Sequence, residues 1–351
     1  MNYPGKRSGT SWRALAFKLG LGFIVAGTAV ALQDHLPVVR REGASLLTSQ
    51  PGVDVAQAQL KGHRGAVAGV AYTADGQQIV SAGADGTLKV WSAQRGTLVR
   101  TLELDAGAAT ALGLAKGRAA TGHKDGTVAL WDLETGVKLA SFKRSDATVW
   151  ALVFAGRPER IAAATQDGAV AVWDASQPAS PVQLFAEHEG AAKALAFADR
   201  GPFLVSGSAD GTAKLWHLGK AERVRTYTGH EQAASAVAFD GEGRTLATGA
   251  ADGQIRLWST FANRQKRKLK GHQGPITALA FGANPDVLVS AGQDGSVRIW
   301  HAGTGKLLRT WAAGSGPVTG LSLSPDGRRI AAAGSDGLLR IWDATVPKPG
   351  S

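Results

Sequence analysis

Along most of the chain, apolar residues alternate with small or polar ones in short runs, the period-two pattern of a half-buried strand. Val67-Ala68-Gly69-Val70-Ala71-Tyr72 and Ile276-Thr277-Ala278-Leu279-Ala280-Phe281 are two such runs. After each comes a turn signal, as at Asp75-Gly76 and Asp326-Gly327, and then a second apolar run. That run leads into an Asp-Gly pair six residues ahead of a tryptophan, at Asp85, Asp125, Asp167, Asp210, Asp252, Asp294 and Asp336. Asp-Gly between two strand-like runs predicts a tight hairpin in which both turn residues take positive φ. The third run closes on that tryptophan, at Trp91, Trp131, Trp173, Trp216, Trp258, Trp300 and Trp342. An in-register apolar series, Leu60, Leu102, Phe142, Phe185, Tyr227, Leu269 and Trp311, predicts a fourth strand.

The seven tryptophans are separated by 40, 42, 43, 42, 42 and 42 residues. A fixed period of this size is the mark of a repeat architecture. Gly62-His63, Gly229-His230 and Gly271-His272 stand at unit starts, and Trp131-Asp132, Trp173-Asp174 and Trp342-Asp343 at unit ends. In these residues the chain resembles the WD40-repeat β-propeller family over residues 54–343. The resemblance implies an all-β ring of seven four-stranded antiparallel blades. Few residues follow Trp342, and Pro347 and Pro349 are among them, so the last blade lacks a fourth strand of its own. The run from Val55 to Leu60, ahead of the first unit, is expected to complete it and close the ring.

A Ser, His and Asp set recurs with constant offsets: His63, Ser81 and Asp85; His188, Ser206 and Asp210; His230, Thr248 and Asp252; His272, Ser290 and Asp294. A catalytic triad has the same composition but is needed once. The family implies instead that each set joins the indole N–H of Trp91, Trp216, Trp258 or Trp300 in a buried hydrogen-bond chain bracing the blade. Removing His230 should then leave Asp252 short of a donor. Units 3 and 7 carry Ser145 and Gly314 in place of the His, and Ala163 and Ala332 in place of the hydroxyl. Unit 2 keeps Thr121 but has Asp105 in the His position, with His123 in the hairpin. Blades 2, 3 and 7 are therefore expected to rely more on apolar packing.

Composition changes the picture in two ways. There is no Cys, which excludes disulfides, Cys-ligated metal and thiol catalysis. No nucleotide-binding or hydrolase motif occurs, and no His has metal-ligand spacing to another. The chain is expected to be non-catalytic, with no catalytic residue, metal or cofactor. An enzyme or small-ligand binder using the central channel is the alternative.

Residues 1–32 are a different object. Lys6, Arg7 and Arg13 precede an apolar stretch from Ala14 to Leu32, interrupted only by Lys18. With Ala29-Val30-Ala31 as a small-x-small site it reads as a signal peptide cleaved after Ala31, or equally as an uncleaved membrane anchor through residues 14–32. Either reading predicts a periplasmic or otherwise extracytoplasmic propeller. Residues 33–53 read as a linker and 344–351 as a tail.

The formal charge is +11. Residues 1–53 hold six basic and two acidic side chains, so the remainder carries +7. Much of that excess is the run Arg264, Lys266, Arg267, Lys268 and Lys270. It reads as a guard against edge-to-edge strand pairing, or as a surface for an acidic partner. Nucleic acid is not expected, because aromatic residues are not interleaved with the charges.

In the resembled family, partners meet the rim at positions three and five residues after the His and just before the hairpin Asp. The five-after series is Ala68, Thr110, Trp150, Lys193, Ser235, Thr277 and Thr319. Only Trp150 and Lys193 are large. With Lys124, Thr148 and Gln166 they mark blades 2–4 as a candidate site for a protein or peptide partner on a monomeric scaffold, an aromatic anchor among long polar groups. The other reading of Trp150 is core filling in a blade that has lost its His.

Overall fold

The computed structural model describes residues 53–344 apart from 55, 156–159, 178–179, 200, 263 and 315. The signal or anchor segment, nearly all of the linker and the tail lie outside the described residues. All described regular structure is β, in seven sheets.

Two short strands come first, β1 (Val53–Asp54) and β2 (Ala58–Lys61). Blade 1 follows as β3 (Val67–Tyr72), β4 (Gln78–Gly83), β5 (Thr87–Ser92) and β6 (Leu98–Glu103). These strands pair antiparallel in sequence order from the axis outward. Blades 2–6 repeat the plan. Blade 7 supplies Val318–Leu323, Arg329–Gly334 and Leu338–Asp343, and β2 adds as its outer strand with Leu60 opposite Leu339. The predicted closure is present, carried by Ala58–Lys61. β1 adds a pairing that the sequence had not signalled: it lies parallel to the outer strand of blade 6, Leu307–Ala312, with Val53 opposite Thr310.

The hairpin turns correct one expectation. Gly86, Gly126, Gly168, Gly211, Gly253, Gly295 and Gly337 take positive φ, but the aspartates before them do not. Each turn closes with the glycine N–H on the carbonyl three residues earlier, as from Gly86 to Gly83 (3.2 Å). This type I turn ending in a left-handed glycine leaves the Asp side chain free to cap the next strand.

The fourth-strand series explains how blades adhere. Every member is buried. Each aromatic member packs on the tryptophan of the next blade: Phe142 on Trp173 (ring centroids 5.9 Å), Phe185 on Trp216 (4.7 Å), Tyr227 on Trp258 (5.5 Å) and Trp311 on Trp342 (6.1 Å). Leu60 shares a core cluster with Trp91, so the closing strand also seals blade 7 to blade 1. Fully burying an aromatic ring removes some 150–250 Å² from water, on the order of 5 kcal/mol of gross hydrophobic stabilisation per blade boundary.

Candidate interaction site

The Ser-His-Asp sets form internal braces. In blade 1 the Asp85 carboxylate lies 3.0 Å from His63 Nδ1 and takes its proton as a hydrogen bond, so Nε2 accepts from the Ser81 hydroxyl (2.8 Å). Ser81 in turn accepts from the Trp91 indole (2.9 Å). Thr87 donates its hydroxyl to Asp85 (2.8 Å) and Arg64 its backbone N–H (2.9 Å). These donors offset burial and hold the Asp85 carboxyl down at about 2. Blades 4 and 6 repeat the set with Thr212 and Ser296 as the extra hydroxyl. Burial outweighs the carboxylate and lowers His63, His188 and His272, so the rings are neutral braces at pH 7. Both ring nitrogens of His63, His188 and His272 are occupied and the rings are enclosed, so these three sets hold their imidazoles away from solvent.

Blade 5 departs from expectation. His230 Nε2 reaches Thr248 (2.7 Å), and Trp258 donates to Thr248 (2.9 Å), but Nδ1 is buried without a partner and Asp252 accepts from the Gln254 N–H. Gln254 stands where Thr87, Thr212 and Ser296 give a hydroxyl to the carboxylate in the braced blades. Asp252 keeps the backbone N–H of that position but has no hydroxyl donor there. Burial and the Arg256 charge bring His230 down to about 4.

Blade 2 departs in the opposite direction. It does have a histidine brace, supplied by His123 from the hairpin: Nδ1 donates to the Ala108 carbonyl (3.3 Å), Nε2 accepts from Thr121 (3.0 Å), and Trp131 donates to Thr121 (3.0 Å). Blade 4 carries Ser208 at the position of His123 beside an intact His188 brace, whereas the two other blades with a complete brace keep glycine there. In blades 1 and 6 the equivalent positions are Gly83 and Gly292, where a Cβ would stand 2.4 Å and 2.7 Å from the brace His ring. A side chain there can itself be the brace once the other His is gone. The displaced Asp105 pairs with Lys138 on the surface.

Blades 3 and 7 lack hydroxyl and His together, and the buried Trp173 and Trp342 indoles have no acceptor among the described residues. Their hairpin carboxylates are not idle. Arg144 pairs with Asp167, and Arg340 makes a two-pronged pair with Asp336 (2.6 and 3.1 Å). An arginine thus replaces the histidine as donor, while the tryptophan is left to apolar packing.

Five members of the five-after series fall into two groups, while Ala68 has no polar side chain and the buried Thr277 hydroxyl has no partner among the described residues. Thr110, Ser235 and Thr319 donate their hydroxyls to the innermost strand of the next blade, at the Val149, Ile276 and Val67 carbonyls (2.7, 2.5 and 2.5 Å). They staple blade to blade and are spent on structure. Trp150 and Lys193 do something else. Lys193 Nζ sits 5.2 Å from the centre of the Trp150 ring, a cation–π contact, and the indole N–H donates to the Gln166 side-chain oxygen. The Gln166 N–H bonds the Thr148 carbonyl (2.9 Å), and the Thr148 hydroxyl bonds the Lys124 carbonyl (3.1 Å). All five residues marked in the sequence therefore form one connected group across blades 2–4. Trp150 and Lys193 are half-buried; Lys124 and Gln166 are exposed. Trp150 is not core filling of the kind seen for Trp173, which is 1% exposed. Partial burial depresses the Lys193 ammonium, and no carboxylate among the described residues pairs with it.

The ring, its repeats and its rim define a repeat scaffold, and the family comparison agrees. The model of the WD domain, G-beta repeat, matches residues 55–92, 136–174, 179–217, 221–259, 263–301 and 305–343. The chain belongs to the WD40-repeat family. The longest unmatched stretch within the ring, 93–135, holds the outer strand of blade 1 and the three inner strands of blade 2, where the brace histidine has moved. The chain is similar to mitochondrial division protein 1 of Pyricularia oryzae, 29% identical over 194 residues covering 54% of this chain and 28% of that protein. It is 31% identical to small ribosomal subunit protein RACK1y of Oryza sativa subsp. japonica over 166 residues, 44% of this chain and 49% of the relative. Apoptotic protease-activating factor 1 of Rattus norvegicus is 25% identical over 190 residues, 53% of this chain and 15% of its own length. The chain thus spans less than half the length of each of these relatives.

Proposed function

We propose that the protein is a non-catalytic, extracytoplasmic scaffold whose propeller holds a protein or peptide partner against the rim of blades 2–4. The observation that carries this is the half-buried Trp150 beneath Lys193, in a ring of positions otherwise filled by Ala or by Ser and Thr. An amphipathic aromatic ring with its N–H already satisfied gives contact area at little ordering cost, and Lys124 and Gln166 flank it with adaptable polar reach. The extracytoplasmic location rests on the basic and then apolar N-terminal segment, read as an export signal or an anchor.

A photo-crosslinking amino acid placed at Lys124 or at Gln166 should give discrete adducts with the native partner in cells. The same probe at Ala251 and at Gln293, matching rim positions of blades 5 and 6, should give none. Adducts from blades 5 and 6 alone would move the site and remove this assignment.

A further inference from the structure

The strongest charge feature on the molecule lies away from that rim. The outer strand of blade 5, Arg264–Leu269, is exposed except for Leu269. Among the described residues no carboxylate pairs with Arg264, Lys266, Arg267 or Lys268. A guard against edge pairing would be wanted most where edges are apolar, yet blade 3 exposes Leu184 on an outer strand that has no charge at all, and blade 1 exposes Leu98 and Val99 on its own. Edge protection therefore does not account for the placement of these cations.

Three further observations give the run a direction. First, Phe261 is 51% exposed in the turn just before this strand, and Leu307 is 39% exposed at the start of the corresponding strand of blade 6. Second, the two blades meet here: Arg267 Nε donates to the Gly303 carbonyl (3.1 Å) in the blade 6 turn that also carries the exposed Lys306. Third, β1 pairs in parallel with the outer strand of blade 6, the strand that begins directly after that same turn. Arg264, Lys266, Arg267 and Lys306 thus lie exposed along the outer edge of blades 5 and 6, with Leu307 next to the turn that Arg267 meets and Phe261 on the other side of blade 5, against Phe203 of blade 4. Cations beside exposed apolar side chains are the make-up of a surface that lies on an anionic bilayer.

We infer that this blade 5–6 edge is a docking surface for an anionic phospholipid membrane, which orients the propeller on the bilayer that its N-terminal segment targets. The inference rests on reading residues 14–32 as membrane-associated, and the two fail separately. The full chain is mixed with vesicles of phosphatidylcholine alone or vesicles containing phosphatidylglycerol, then followed by sedimentation and by amide hydrogen exchange. Sedimentation with phosphatidylcholine reports on the segment. Slowed exchange at 261–269 and 303–307 with the anionic vesicles only, reversed by high salt, reports on the patch. Arg264→Gln, Lys266→Gln and Lys306→Gln together should lower the preference for anionic over zwitterionic vesicles about a hundredfold, at roughly fivefold per cation, with an unchanged melting temperature. Equal exchange in the free, zwitterionic and anionic samples would overturn the inference. So would protection by a soluble polyanion such as single-stranded DNA without protection by anionic vesicles.

Discussion

Blades 4 and 3 are neighbours with the same strands and opposite interiors. In blade 4 the Trp216 indole ends a chain running through Ser206 and His188 to Asp210, and every polar atom of that chain is engaged. In blade 3 the chain is gone, Trp173 is held by Phe142 and its neighbours, and the hairpin carboxylate is tied to Arg144. The difference teaches that the brace is optional for forming a blade, and that where the hydroxyl is lost in blades 3 and 7 the His is lost with it. A half-satisfied buried network costs more than an apolar interior. Blade 5 is the test case, because it keeps His230 and Thr248 yet has lost the link to Asp252.

The largest effect should come from breaking the complete brace. His188→Ala leaves Asp210 without its ring donor and removes the proton acceptor of Ser206, and should cost about 3 kcal/mol in chemical denaturation. His230→Ala removes one contact to Thr248 and should cost about 1 kcal/mol. Equal losses at the two sites would erase the distinction between them.

The pH response should separate the blades next. His230 titrates near 6.5 when unfolded and near 4 when folded, so the unfolded state takes up the proton first and stability falls as pH drops from about 6.5 towards 4. The His230 share of that limb is about 3 kcal/mol, and His230→Gln should shrink the limb to what the lowered His63, His123, His188 and His272 contribute. The braced carboxylate Asp85, held at about 2 in the fold, contributes a second loss only below its ordinary value of 3.8. A wild-type melting temperature that is flat between pH 6.5 and 4 would contradict the depressed His230.

The smallest effect is a gain. Ala163→Ser gives Trp173 the hydroxyl acceptor it lacks and should stabilise blade 3 by less than about 1 kcal/mol, since the new oxygen lacks the His that completes the set. A loss of several kcal/mol instead would mean that the site is too tightly packed to hold an oxygen.

Much of this was legible in the chain. Period-two runs, the tryptophan spacing and the missing last strand specified blade number, strand order and closure, because each reports a local constraint repeated seven times. That Trp150 and Lys193 stand out was legible for the same reason, since they break an in-phase series of small residues. What was hidden depends on contacts that no fixed offset records. His123 escaped because the brace was sought at the unit start, although it stands two residues after Thr121, where blades 1 and 6 have glycine. The failed Asp252 contact had a signal in Gln254, which replaces a hydroxyl two residues after the aspartate. The staples from Thr110, Ser235 and Thr319 reach into the next blade and appear only once the ring has closed.

The central claim is the proposal that the rim of blades 2–4, around Trp150 and Lys193, holds the partner. It is tested most directly with Trp150→Ala combined with Lys193→Glu, measuring recovery of the native partner by pull-down and the melting temperature in parallel. The account predicts that recovery is lost while the melting temperature stays within a few degrees of wild type, because both side chains are half-exposed and neither staples a blade. Undiminished recovery, or a collapse of the melting temperature, would contradict it.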